Sequence, residues 1–299
     1  MMAEVIAGAQ DAPGLLPHAE ITLEANPSDM NLARCKQWLD IGINRLSLGT
    51  QSFDTKTLKA ADRQHTGEDS IRAVTIAREA GFTRLSVDLM FGLPGQTELD
   101  WERELAQVIE LSPTHVSVYG LTVEEATPLH RLVKTGAVVL PEDEHAHRMF
   151  FRAHDLLGES GYVHYEVSAY GLSGHRAVHN GAYWDWLPYL GLGAGAHGFD
   201  GERRWENIRR VKKYMTQTLE GCDPTATSES LDETSRAFER LMVGLRRLDR
   251  GVELRGECAR FKPQANALVE RGWLERHEGG VRVTREGLRW MNDVLSEFL

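Results

Sequence analysis

The stretch Thr83-Arg-Leu-Ser-Val-Asp-Leu-Met90 is an apolar run of strand length that carries a carboxylate, Asp88, near its end. Helical patterns flank it, over about 54–80 before and about 98–111 after. The same unit repeats outward. Ala19-Glu-Ile-Thr-Leu-Glu-Ala25 and Asn44-Arg-Leu-Ser-Leu-Gly49 read as earlier strands, with a helix over about 29–40 between them. His115-Val-Ser-Val-Tyr-Gly120 and Val163-His-Tyr-Glu-Val-Ser168 read as later ones, separated by helices near 129–134 and 145–160. Tyr189-Leu-Gly-Leu-Gly193 is a candidate sixth strand. Strands alternating with helices of this length predict βαβ units and a parallel sheet.

Polar residues gather where these strands end: Glu24 and Asn26, Gln51 and Ser52, Asp88, Thr122, then Glu166, Ser168 and Tyr170. A (β/α) barrel builds its site on the C-terminal ends of its strands, so the repetition marks a barrel-like active face. Any one of these residues alone would equally serve as a loop cap. No Gly-x-Gly-x-x-Gly follows the first strand and no Gly-x-x-x-x-Gly-Lys occurs, which removes support from Rossmann and P-loop readings.

A second kind of chemistry is concentrated in His179-Asn-Gly-Ala-Tyr-Trp-Asp-Trp-Leu-Pro-Tyr-Leu-Gly-Leu-Gly-Ala-Gly-Ala-His197-Gly. Tyr183, Trp184 and Trp186 crowd beside one imidazole and one amide, and glycines from Gly191 onward let backbone approach a neighbour closely. Flat rings beside an imidazole suit a large planar ligand with a metal at its centre. The plainer reading is a buried aromatic cluster with a satisfied core histidine. His197 competes with His179 as a ligand, whereas His175 lies in a segment that Gly171 and Gly174 make a loop.

The 299 residues allow one large or two smaller domains. A net charge of −10 disfavours a nucleic-acid partner held by global electrostatics. No membrane span and no secretory leader is read, so a cytoplasmic location is expected. Cys35, Cys222 and Cys258 are far apart and read as unpaired thiols. Residues 1–18 are expected to lack fixed structure, 19–200 to form the barrel, and 201–229 to be a linker. The linker carries the basic run Arg203-Arg-Trp-Glu-Asn-Ile-Arg-Arg-Val-Lys-Lys213, able to meet propionates or an acidic partner, though usually a solvated face. Over 230–299, a capping-box start at Ser230-Leu-Asp-Glu233, two helices, a hairpin around Gly279-Gly280 and a final helix predict a small winged-helix-like α+β domain. Its thirteen Lys and Arg against twelve Asp and Glu favour packing or partner docking over DNA binding.

Taken in order, five blocks resemble one family: Glu20-Ile-Thr-Leu-Glu-Ala-Asn-Pro27, Asn44-Arg-Leu-Ser-Leu-Gly-Thr-Gln-Ser-Phe53, Val87-Asp-Leu-Met-Phe-Gly-Leu-Pro-Gly-Gln-Thr97, Tyr165-Glu-Val-Ser-Ala-Tyr170 and the His179-Asn-Gly-Ala-Tyr-Trp184 block. The chain is similar to the radical S-adenosylmethionine (SAM) family of oxygen-independent coproporphyrinogen oxidases, and within it to the haem-chaperone branch. The resemblance implies an incomplete (β/α) barrel of the radical SAM type followed by a winged-helix-like domain. It implies SAM contacts at Glu24, Gln51, Arg63, Asp88 and Thr122, and haem contacts at His179, Asn180, Tyr183 and Trp184, with His179 as iron ligand. It implies haem delivery to a haemoprotein recipient.

The family's Cys-x-x-x-Cys-x-x-Cys ligands for a [4Fe–4S] cluster do not occur in this sequence. A shortened member with an open sheet edge, weak SAM binding and vestigial radical chemistry is therefore expected. The rival readings are a coproporphyrinogen oxidase, should a longer N-terminus exist, and a winged-helix binding protein without haem.

Overall fold

The computed structural model describes residues 2–12, 14–125 and 127–299. They form two compact units, Met1–Arg176 and Ala177–Leu299.

The first unit is a six-stranded sheet with helices packed on one face. Its strands are β1 (Thr22–Ala25), β2 (Arg45–Gln51), β3 (Leu85–Phe91), β4 (His115–Gly120), β5 (Val163–Glu166) and β6 (Ala169–Gly171), and its order is β1-β2-β3-β4-β6-β5. β1 to β4 are parallel, while β6 inserts antiparallel between β4 and β5. The helices are α1 (Met2–Asp11), α2 (Leu32–Asp40), α3 (Thr55–Ala60), α4 (Gly67–Ala80), α5 (Glu98–Leu111), α6 (Pro128–Lys134) and α7 (Asp143–Glu159). Alternation sends Leu46, Leu48, Leu85, Val87, Leu89, Val116 and Val118 to the helix side, against Val74, Trp101, Leu105, Met149 and Leu157. Trp101 is fully buried and its indole N–H donates to the Met149 carbonyl at 2.8 Å. Capping boxes, Thr66 with Asp69 and Thr97 with Asp100, start α4 and α5.

The second unit contains α8 (Val178–Trp184), β7 (His197–Phe199), β8 (Arg203–Asn207), α9 (Val211–Leu219), β9 (Thr225–Ser230) and α10 (Glu233–Gly244). It continues with β10 (Val252–Glu253), α11 (Lys262–Glu270), β11 (Leu274–His277), β12 (Gly280–Val283), α12 (Arg285–Arg289) and α13 (Met291–Ser296). β7-β8-β9 form one antiparallel sheet and β10-β12-β11 another. Leu241, Leu245, Phe261, Leu268, Leu274, Val281 and Phe298 build a separate core beneath the winged-helix-like part.

Several expectations change. The first eighteen residues are not featureless: α1 forms, and Ile6 packs on the sheet unit's core. The 201–229 segment is no linker, because β8, α9 and β9 fold there and β8–β9 pairing satisfies its backbone. The boundary falls at 176 rather than 200. Asp185 belongs to the second unit through ion pairs with Arg247 and Arg250, each at 2.9 Å. Tyr189–Gly193 is not a sixth strand. It contributes one bridge, Tyr189 to Phe199, because its glycines follow the β7 backbone rather than the parallel sheet. The cap of α10 is Asp232, which accepts from the Ser235 N–H, while Ser230 ends β9.

Candidate functional site

The open face of the parallel sheet carries the polar members of the strands. Glu24 lies beside Ser47 in register, Ser47 beside Ser86, and Asp88 beside Ser117. The Ser47 hydroxyl donates to both Asp88 carboxylate oxygens, at 3.1 and 3.3 Å. Burial pushes the Asp88 carboxyl up to about 6; hydrogen bonds from Ser117 and Ser47 oppose the rise, and the Glu24 charge adds to it. Tyr119, on the same face, is pushed up to about 12 by burial and by Asp88. Glu24 also lines a cleft of about 580 Å³ with Met2, Leu23, Ala25 and Trp38.

Gln51 is brought to this face by backbone distortion. It has φ +63° at a register shift in β2, and its side-chain amide nitrogen would lie 3.3 Å from a Cβ placed on Gly49. Glycine at 49 thus leaves room for Gln51 beside Ala25 and Asn26. Arg63 is half-buried in the α3–α4 turn and Thr122 is exposed just after β4. Neither makes a side-chain hydrogen bond or ion pair among the described residues. Glu24, Gln51 and Asp88 therefore sit on the sheet itself, and Arg63 and Thr122 in loops beyond strand ends.

Other strand-end residues turn out to be architectural. Ser52 is buried and donates to Glu104, which also accepts from the Phe53 and Asp54 N–H groups at 2.6 and 3.2 Å. Tyr170 is buried in β6 and stacks on His164 at 4.0 Å. The sequence reading missed the layer under Asp88. His115 bonds Ser86 through Nδ1 and Tyr165 through Nε2, both at 2.8 Å, and burial pushes its pKa down to about 3. Below it Arg45 pairs with Glu20 at 3.6 Å, each side chain 3% exposed. An alternating polar residue inside an apolar run was the available signal.

The second unit presents the aromatic block. His179 is exposed on α8, and its Nε2 is bonded to the Tyr183 hydroxyl at 2.8 Å, one helical turn away. Tyr183 meets Tyr189 edge-on at 4.6 Å, and Trp186 meets Phe199 at 4.7 Å. The following loop holds Leu187, Leu190 and Leu192 in solvent, 50%, 66% and 70% exposed. Asn180 makes no side-chain hydrogen bond among the described residues. The loop is fixed by Asn207, whose amide donates to the carbonyls of Gly191 and Gly193 at 3.1 and 3.0 Å. Gly191 is obligatory, since a Cβ there would lie 2.0 Å from the His197 carbonyl oxygen. Trp184 points to α10: Arg246 covers its ring at 5.8 Å, and it lines a cleft of about 420 Å³ with Arg240 and Gly244. His197 is exposed in β7, opposite Glu206. His175 lies in the sheet unit, where its carbonyl accepts from Arg45.

A [4Fe–4S] cluster does not fit the residues present. Cys35 is buried in α2, Cys258 is buried in the second unit, and Cys222 is exposed. Among the described residues no three His, Cys, Asp or Glu side chains gather to hold a metal.

The sheet unit and its polar face define a class. Residues 2–108 match the radical SAM superfamily, and the fold resembles Escherichia coli coproporphyrinogen III oxidase (HemN), described as a radical SAM enzyme. That likeness has a TM-score of 0.80 at 20% identity, over 99% of this chain and 73% of the other. Closer in sequence are proteins named heme chaperone HemW. The Bacillus subtilis one is 33% identical over 288 residues, 94% of this chain and 76% of its own. The Escherichia coli one is 33% identical over 307 residues, 100% and 79%. The bovine mitochondrial radical S-adenosyl methionine domain-containing protein 1 is 32% identical over 318 residues, 100% and 72%. The chain belongs to the HemW family of heme chaperones.

Proposed function

We propose that this chain binds haem as cargo for delivery to haemoproteins, taking the iron at His179. The observation that carries this reading is an exposed imidazole beside a loop of exposed leucines. A flat apolar macrocycle resting there covers Leu187, Leu190 and Leu192 at roughly 25 cal/mol per Å² of buried apolar surface. Coordination through Nε2 replaces the Tyr183 bond, while the Tyr183–Tyr189 edge contact keeps the phenol ring in place. In this reading Trp184 braces α8 on α10 and does not cover a porphyrin face. The names of the relatives support it.

SAM, which the superfamily implies, would be held by Glu24, Gln51 and Asp88 on the sheet face, with Arg63 and Thr122 from the loops. It supplies sulfonium chemistry when bound, and the residues here bind and orient it. Asp88, held by two serine hydroxyls, is suited to accept from ribose hydroxyls. Haem titration of the wild type and of His179→Ala, followed in the Soret band, tests the main reading. Weakened binding with a shifted band is expected for the variant. An unchanged spectrum and affinity in a folded variant removes His179 as the ligand.

A further inference from the structure

Gln51 sits in backbone that a glutamine rarely adopts. Its φ is +63°, and the Ser52 N–H donates back to the Thr50 carbonyl at 2.7 Å. That is the strained form of a three-residue γ-turn. The β2–β3 register shifts between Leu48 and Gln51. The Gln51 side chain makes no hydrogen bond among the described residues, so no contact of its own offsets the strain. Such a conformation persists only where its surroundings over-determine it.

Two buried side chains do so, one on each side of the turn. Before it, His65 Nε2 bonds the same Thr50 carbonyl at 2.9 Å; a carbonyl only accepts, so Nε2 carries the proton. After it, Glu104 accepts from the Ser52 hydroxyl and from the Phe53 N–H, the latter at 2.6 Å. His65 and Glu104 are 5% and 3% exposed. His65 also lies two residues after Arg63, in the connection between α3 and α4. Its place there is fixed because α4 abuts the turn: a Cβ on Gly67 would lie 1.8 Å from the Phe53 carbonyl oxygen. One imidazole thus ties the connection that carries Arg63 to the turn that carries Gln51.

We propose, on the SAM reading of the sheet face, that His65 is a positioning residue for that ligand. It acts through its neighbours. The bond to Thr50 holds Gln51 in the strained turn and keeps the Arg63 connection anchored to β2. The Gln51 amide and the Arg63 guanidinium then meet SAM from fixed places, and less freedom is lost when it binds.

Urea unfolding of Gln51→Gly and Gln51→Ala tests the clamp, since neither carries the amide and only glycine is free of strain at φ +63°. With His65 in place, Gln51→Gly folds with an equilibrium constant about fivefold larger than Gln51→Ala. In a His65→Ala background the turn relaxes, and that preference for glycine falls below about twofold. SAM binding to the full chain, followed by ligand-observed NMR, tests the positioning. His65→Ala weakens it about fivefold to tenfold, the worth of the hydrogen bond that a relaxed Gln51 no longer makes. His65→Gln, whose amide N–H reaches about as far as Nε2, restores most of that affinity. An undiminished glycine preference in the His65→Ala background overturns the clamp. Unchanged SAM affinity in a folded His65→Ala variant overturns the positioning role. A wild type that binds no SAM removes the SAM reading and the role of His65 in it, while the glycine preference still reports the turn.

Discussion

Two histidine–tyrosine pairs of equal length, one in each unit, serve opposite ends. His115 and Tyr165 meet at 2.8 Å under the parallel sheet, and His179 and Tyr183 meet at 2.8 Å on α8. The first imidazole is buried, bonded at both nitrogens and held neutral. The second is exposed beside exposed leucines. The same bond closes a polar layer in one place and holds a ring at the surface in the other. Burial, not the bond, decides which histidine is available to an incoming metal.

The largest effect expected is on the buried pair. His115→Ala strands the Ser86 and Tyr165 hydroxyls and opens a cavity, costing about 3–4 kcal/mol in urea unfolding. His179→Ala costs under about 0.5 kcal/mol in the same measurement. Equal costs would erase the distinction between the pairs. The wild type should also lose stability as pH falls from about 6.5 towards 3, because His115 must stay neutral when folded yet charges when unfolded.

Next in size is haem. His179→Ala should weaken haem binding about thirtyfold to a hundredfold, near 2–3 kcal/mol, while a folded His197→Ala keeps wild-type affinity. The reverse ranking would move the ligand to β7.

Asp88 offers a smaller, pH-dependent test. Its carboxyl is raised when folded, so the folded state binds more protons than the unfolded state between about pH 4 and 6, and stability falls as pH rises through that window. Asp88→Asn should therefore gain on the order of 1–2 kcal/mol at pH 7 and nothing at pH 4. A gain that persists at pH 4 would mean that packing, not charge, is responsible.

The smallest effect sharpens the surface pair. Tyr183→Phe removes the group that occupies Nε2 and should tighten haem binding about fivefold, the worth of one ordinary hydrogen bond. Loosened binding would show that the hydroxyl supports the bound state.

β1 to β5 of the sheet unit, the α4–α5 helices and the winged-helix-like tail were legible from the chain alone, because period-two and helical patterns record which side faces a core, whereas the antiparallel β6 was not read. The carboxylates Glu24 and Asp88 were legible for the same reason, as polar residues in apolar runs. Their relatives in the ordered blocks named the family. Pairing across distance was not legible. The chain does not say that Ser47, forty-one residues away, holds Asp88, since parallel register is set by crossover packing. Nor does it say that Asp185 ties α8 to Arg247 and Arg250, which moved the unit boundary. The block around His179 shows the division most clearly. Residue order by itself placed an imidazole and rings together; that they share a helix, α8, which puts His179 and Tyr183 on one stripe, was not read from it. Only the tertiary structure turned that stripe to solvent and Trp184 towards α10, because exposure depends on which neighbours the rest of the chain supplies.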